Sequence, residues 1–308
     1  MRLRSYFSLA VLWGTFTCTT LAFASQPLRV GEWLPVRDGK MFGISGMAAI
    51  ETHDDRMSFL VVHDNKSDDG GRLAIVTLSA TDSVTYSPLD WPADWELPVD
   101  LESLTAVPPS GDFPESGFMA ASSSGRVFYF RLDVSESDID PIAIFDLPDL
   151  PSGSNLEGFA LEEIEGRLLA VWADRGSREK AAIVYWSELD LANLSVDRIQ
   201  TVKLQVPWPE GNVRHISDLK IDGAGRLTIT SARDEGDDGP FDSAVYEAGR
   251  FRVEGNAIAF ELTSQWVPLG RYEGRKIEAI ELMSTPVGGT ILGTDDENFG
   301  SSVMRLTQ

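Results

Sequence analysis

The sequence predicts an all-β fold, a five-bladed β-propeller whose last blade is closed by the N-terminal strand of the mature chain. Three observations lead there. The first is a short motif written five times, as Ile44-Ser45-Gly46-Met47, Leu101-Glu102-Ser103-Leu104, Leu156-Glu157-Gly158-Phe159, Ile216-Ser217-Asp218-Leu219 and Ile277-Glu278-Ala279-Ile280. Its Ser or Glu stands at positions 45, 102, 157, 217 and 278, so successive copies lie 57, 55, 60 and 61 residues apart. A fixed period of that size marks a repeat architecture. The second is that similar apolar runs and polar loops follow every copy. The third is a proline-ended run, Trp33-Leu34-Pro35, that precedes the first copy and has no repeat of its own.

The chain begins with a segment that is not expected to join the fold. Arg2 and Arg4 form a basic start, residues 7–13 an apolar run, and Ala22-Phe23-Ala24 a small-x-small cleavage pattern. That is a secretory signal over residues 1–24, predicting an exported, periplasmic or extracellular protein. The apolar run is too short and too interrupted by Gly14 and several threonines for a membrane span. Residues 25–308 then form a single domain. The only cysteine, Cys18, lies in the signal, so the mature chain has no disulfide and no thiolate metal site.

Loss of Arg2 and Arg4 takes the formal charge from −22 to −24. Nucleic acid and anionic membrane surfaces call for basic patches, so both are excluded as partners. Such a surface favours solubility and attracts cations, and a monomer is expected. Eight Trp and fifteen Phe supply a core and exclude disorder.

Within each repeat the motif is a first strand. Second apolar runs follow at 59–63, 118–121, 168–173, 227–232 and 290–294. Polar loops come next at 64–71, 122–125, 174–180, 233–242 and 295–300, and third runs at 72–78, 126–132, 181–186, 243–247 and 301–306. Alternation and β-branching make these strands, with Gly, Asp and Pro between them. A fourth run ends in Pro92, Pro148, Pro207 or Pro268, nine or ten residues before the next motif. Pro35 keeps the same distance from Ser45, so the segment ending there is the fourth strand of a blade whose other three strands lie at 276–308. Radial repetition of this kind leaves only short, protected sheet edges. A pair of open β-sandwiches is the competing arrangement, and five equivalent repeats with split closure do not fit it.

First strands of a propeller line its central tunnel, so Ser45, Glu102, Glu157, Ser217 and Glu278 are expected to meet around the axis. Three carboxylates in a narrow channel repel one another unless they are protonated or neutralised by a cation. Hard oxygen donors without His or Cys favour Ca²⁺ over zinc; the other reading is that these side chains hold tunnel water. Asp64, Asp174, Arg233, Asp234 and Asp295 begin the loops after the second strands and should ring one mouth. Arg175, Arg178 and Lys180 are the compact basic group beside it. His53, His63 and His215 are not spaced as a metal triad. No Gly-x-Ser-x-Gly elbow, phosphate-cradling Gly-Lys loop or dinucleotide fingerprint exists.

The order Ser, Glu, Glu, Ser, Glu on five inner strands resembles the calcium-activated nucleotidases of the apyrase type, five-bladed propellers with Ca²⁺ in the tunnel. His63-Asp64-Asn65-Lys66 stands where that family has an acidic turn in blade one. Ser231-Ala232-Arg233 and Ser243-Ala244-Val245-Tyr246 are similar to its blade-four arginine loop, and Asp295-Asp296-Glu297 to its final loop. Two places depart: the blade-one turn, which in that family carries two adjacent Asp and an Arg, here follows Asp64 with Asn65 and Lys66, and the blade-two loop is Ser122-Ser123-Ser124 rather than basic and aromatic. More loosely, Leu156-Glu157-Gly158-Phe159-Ala160 resembles secreted bacterial propellers of phytase-like or esterase-like kind. The resemblance implies a Ca²⁺ held by Ser45, Glu102, Glu157, Ser217 and Glu278. It also implies Ca²⁺-dependent hydrolysis of a phosphate ester, anhydride or nucleotide. Asp64 would orient the water, and Arg175 or Arg233 would take the phosphate of a small substrate. The alternative is a non-catalytic extracytoplasmic binding propeller with a structural metal.

Overall fold

The inner strands read as unbroken apolar runs because each blade is covered on both faces by its neighbours, so side chains of both parities are buried. Arg56–Val62 is buried from its second residue onward, whereas the outermost strand Ser195–Leu204 is largely exposed. The computed structural model describes residues 30–53, 55–80, 83–109, 117–148, 150–283 and 288–306. The expected signal segment, 1–24, lies outside the described residues.

Five antiparallel sheets result. Blade one is Gly46–His53, Arg56–Val62, Leu73–Ser79 and Val84–Leu89; blade two is Leu101–Val107, Gly117–Ser122, Arg126–Asp133 and Asp138–Asp146. Blade three is Leu156–Ile164, Arg167–Asp174, Ala182–Asp190 and Ser195–Leu204. Blade four holds Val213–Ile221, Arg226–Asp234 and the long strand Phe241–Glu254, whose far half pairs with Ala257–Leu262 and whose near half pairs with Pro268–Glu273. Pro268 therefore opens a strand instead of ending one, because a hairpin inserted after Glu254 takes over the outer edge.

Blade five, Ile277–Leu282, Thr290–Thr294 and Ser301–Leu306, is completed by Leu34–Arg37, with Leu34 opposite Val303. The five-bladed, split-closure arrangement is thus the observed fold. The paired part of the closing strand reaches two residues past Pro35. Among the described residues the helical elements are two single 3₁₀ turns, Lys40–Phe42 and Glu297–Phe299. No helix among them is long and apolar enough to cross a membrane.

The core lies between blades. Trp172 stacks on Tyr185 at 5.8 Å, and Trp91 stacks on Trp95 at 5.0 Å with Phe128 and Phe130 edge-on to the pair. Near the axis the inner strands crowd. A Cβ on Gly46 would lie 2.7 Å from Leu104 N, and one on Gly158 2.7 Å from Leu219 Cγ. Those two motif positions need glycine for close approach.

Candidate active site

The recurring motif makes a bulge. Register shifts fall between Leu101 and Ser103, between Leu156 and Gly158, and between Ile277 and Ala279. Glu102, Glu157 and Glu278 are therefore the unpaired residues of three inner strands. A bulge re-aims one side chain and is common beside active sites; here it turns each glutamate into the tunnel mouth. In blade four the irregularity is longer, from Arg214 to Asp218, and the outcome differs. Ser217 Oγ donates to Ile277 O at 2.7 Å and pairs with Thr230 Oγ1 at 2.9 Å. That hydroxyl ties blade four to blade five, so blade four presents Arg214 to the tunnel in place of Ser217.

Arg214 changes the electrostatics of the ring. Its Nη1 lies 2.5 Å from Glu278 Oε1 and 3.5 Å from Glu157 Oε1, and its Nη2 lies 2.5 Å from Asp234 Oδ2. Lys276 Nζ adds contacts of 3.2 Å to Glu278 and 3.8 Å to both Asp234 and Asp295. Arg175 Nη1 lies 2.8 Å from Glu157 Oε1. The protein thus supplies its own counter-charges to Glu157 and Glu278, where the sequence suggested a bound cation or water. Burial works to raise Glu157, and Arg214 and Arg175 oppose it, leaving the group still above the usual carboxylate range. Glu157 Oε2 and Ser45 Oγ are buried without a hydrogen-bond partner among the described residues.

The loops place the other residues. Asp64 is held between fixed neighbours. The His63 ring nitrogens meet Gly43 O at 2.6 Å and Tyr86 Oη at 3.0 Å, and Asn65 Nδ2 donates to Met41 O and Gly71 O. Buried Arg72 pins the same loop by donating to Pro98 O at 2.5 Å and Ser67 O at 2.9 Å. The Asp64 carboxyl itself is half-buried and makes no hydrogen bond or ion pair among the described residues. Burial first, then the charge of Glu278, pushes it up to about 6, against the pull of Lys276 and Lys66.

Asp234 has the opposite fate. Burial would raise it, but Lys276 and Arg214, with a bond from Gly236 N, hold it below the usual range. Asp174 is a turn-former, accepting from Asn155 N at 3.1 Å and Gly176 N at 3.0 Å. Asp295 is buried and accepts from Glu297 N.

Two expected phosphate ligands are already engaged. Arg175 is on Glu157, and Arg233 faces Glu235 at 3.0 Å and Asp242 at 3.3 Å within its own loop. Residues the sequence reading did not single out, Arg214, Lys276 and Asp100, complete the mouth. The available signal was a basic residue two or three positions before the motif residue on an inner strand. A cavity of about 760 Å³ lies elsewhere, on the outer flank between blades three and four beside Trp186, Arg198 and Ile258.

Buried carboxyls away from this mouth set a pH dependence. Asp218 accepts from Leu219 N at 2.7 Å and Ile280 N at 2.8 Å, yet burial raises it to about 8. Burial and Asp222 raise Glu162 to about 7. Each binds its proton more tightly folded than unfolded, so stability falls as pH rises from about 4 to about 8. Melting temperatures across that range should decline; a steady climb would contradict the assignment.

No protein-family model matches the chain. No curated protein matches it either. Known structures do match it in fold. Over 88% of this chain and 96% of the other, it superposes on a GH43 endo-arabinanase from Bacillus licheniformis with a TM-score of 0.51 at 8% identity. A GH62 α-L-arabinofuranosidase catalytic domain from Coprinopsis cinerea matches with a TM-score of 0.50 at 12% identity, covering 91% of this chain and 97% of that one. A putative exo-β-1,3-galactanase from Bifidobacterium bifidum s17 also gives 0.50, at 10% identity over 90% and 92% of the two chains. At these identities the likeness is one of fold. It nevertheless corrects the resemblance drawn from short motifs: these three propellers are named as glycoside hydrolases, not as nucleotidases or phytase-like proteins. The phosphohydrolase and the non-catalytic binder expected from those motifs fall with it. The engaged state of Arg175 and Arg233 agrees, since neither guanidinium stands free to take a phosphate.

Proposed function

We propose that this protein is a hydrolase of carbohydrate, cleaving a glycosidic bond at the tunnel mouth. One observation carries the reading: two carboxyl groups at the same mouth are shifted in opposite directions, one toward holding its proton and one toward losing it. Asp64 is pushed up to about 6 by burial and Glu278, while Lys276 and Arg214 overcome burial to keep Asp234 ionised. Glycoside hydrolysis needs such a pair, an acid to protonate the leaving oxygen and a carboxylate to act on the opposite side of the sugar. Asp64 is the acid. Asp234 is the carboxylate, serving as base toward water or as nucleophile. Net, water adds across the bond and one sugar hydroxyl forms on each side. The fold shared with propellers named as arabinanases and galactanases supports the same substrate class. An exported location would suit a polymeric substrate outside the cell.

The test is release of reducing sugar from a panel of aryl glycosides, arabinan, galactan and xylan. Asp64→Asn and Asp234→Asn should each lower kcat by about 10²–10⁴-fold, as loss of a positioned acid or base does. The rate profile of the parent should fall on its alkaline side near pH 6, where Asp64 loses its proton. Inactivity on every glycoside, or full activity in both variants, would overturn the reading.

A further inference from the structure

We propose that Asp64, Asp100 and Glu102 form a binding site for one hard divalent cation of the calcium type, at the tunnel mouth where blades one and two meet. Each of the three offers a carboxylate oxygen, and these oxygens lie within 4.8 Å of one another. Glu102 is the independent pointer. It is 6% exposed, projects from the bulge between Leu101 and Ser103, and makes no hydrogen bond or ion pair among the described residues. Buried carboxylates are ordinarily paired or metal-bound. Glu157, Glu278 and Asp234 obey that rule through Arg214, Arg175 and Lys276; Glu102 has no such partner.

The corner is also built in advance. Asp100 N donates to Asn65 O at 3.3 Å and Ser123 N donates to Asp100 O at 2.9 Å, so the loop carrying Asp64 is laced to the strand carrying Glu102. Ser123 Oγ donates to Asp100 Oδ2 at 2.5 Å, leaving Oδ1 toward Lys66 Nζ at 3.1 Å. Lys66 is two-thirds exposed and brings one positive charge to three carboxyl groups. With all three ionised, the formal remainder of two negative charges matches a divalent ion. The donor set is all oxygen, and the nearby His63 is committed to Gly43 O and Tyr86 Oη. Such a set suits Ca²⁺, with water completing its shell, rather than zinc or copper.

A consequence rests on the proposed function, although binding itself does not. A cation here holds Asp64 as a carboxylate that has no proton to give the leaving oxygen, so it inhibits hydrolysis. The experiment titrates the chelator-treated full chain with CaCl₂ by calorimetry and follows its melting temperature in parallel. One saturable site is expected, with a melting temperature rising with the logarithm of Ca²⁺ concentration. Asp100→Asn and the isosteric Glu102→Gln should each weaken binding about tenfold or more, while Asp234→Asn, across the mouth, should leave Ca²⁺ affinity within about twofold.

Absence of saturable binding up to about 10 mM, together with an unmoved melting curve, would overturn the site. Equal affinity in the parent and in both corner variants would do the same. Ca²⁺ binding that depends on Asp100 and Glu102 in a protein inert toward all glycosides would sustain the site and remove only the hydrolase reading. Binding without inhibition of an active enzyme would strike out the inhibitory consequence.

Discussion

Replacing Arg214 by methionine is expected to lower the unfolding free energy by about 3–5 kcal/mol near neutral pH, the usual cost of breaking a buried charge network by removing one partner. Arg214 is 17% exposed in its side chain and bridges Glu157, Glu278 and Asp234 at once. Methionine fills much of the volume but leaves three carboxylates facing one another, with Lys276 and Arg175 as the remaining counter-charges. The carboxylates can relieve this by binding protons, so the loss should shrink as pH is lowered toward 4. Urea unfolding of parent and variant at pH 7 and pH 4.5 reads both effects. Arg233→Met is the control: that partly exposed side chain at the end of its strand pairs with Glu235 and Asp242, and its loss should move stability little. Equal effects from the two substitutions would mean that Arg214 is a surface charge and not the centre of the ring.

Removal of the closing strand should have the largest effect of all. A chain beginning at Asp38 lacks Leu34–Arg37, and with it the partner of Ser301–Val303 in blade five. The strand Ser301–Leu306 would become an open edge with buried Val303 and Met304 behind it. Unpaired apolar edges template association, and a ring cut at one blade loses interblade packing on both sides of the gap. The shortened protein is expected to aggregate or to remain unfolded at 25 °C, seen as loss of the strand signal in circular dichroism and of a monomer peak in size exclusion. A soluble chain melting at the parent temperature would rule out closure by this strand.

The contrast between Ser217 and Arg214 shows why a motif can be legible while its chemistry is not. A bulge moves the register by one residue, and in a strand that shift exchanges the faces of every following side chain. In blades two, three and five the bulge falls on the glutamate itself and turns it toward the tunnel mouth. In blade four it spans Arg214 to Asp218, so the hydroxyl goes to a neighbouring blade and the guanidinium to the tunnel. Nothing in the local pattern distinguishes these outcomes. Arg214, Lys276 and Asp100 were unremarked for the same reason: charged residues near a turn are usually solvated, and only the closed ring brings these together. Short motifs also misled on kinship. Ser and Glu at equal spacings record the geometry of five inner strands, and that geometry is common to propellers of quite different chemistry.

By itself, the sequence determined the number of blades and the closure of the last by the first strand; the fifth strand of blade four came only with the structure. Period, apolar runs and turn residues are local signals, and a ring has only one way to join its ends. Only the tertiary structure decided which carboxylates are neutralised and which are left to act. Charge pairing depends on separations of a few ångströms between residues from different blades, and Coulomb interactions at that range fall outside anything a repeat period can encode.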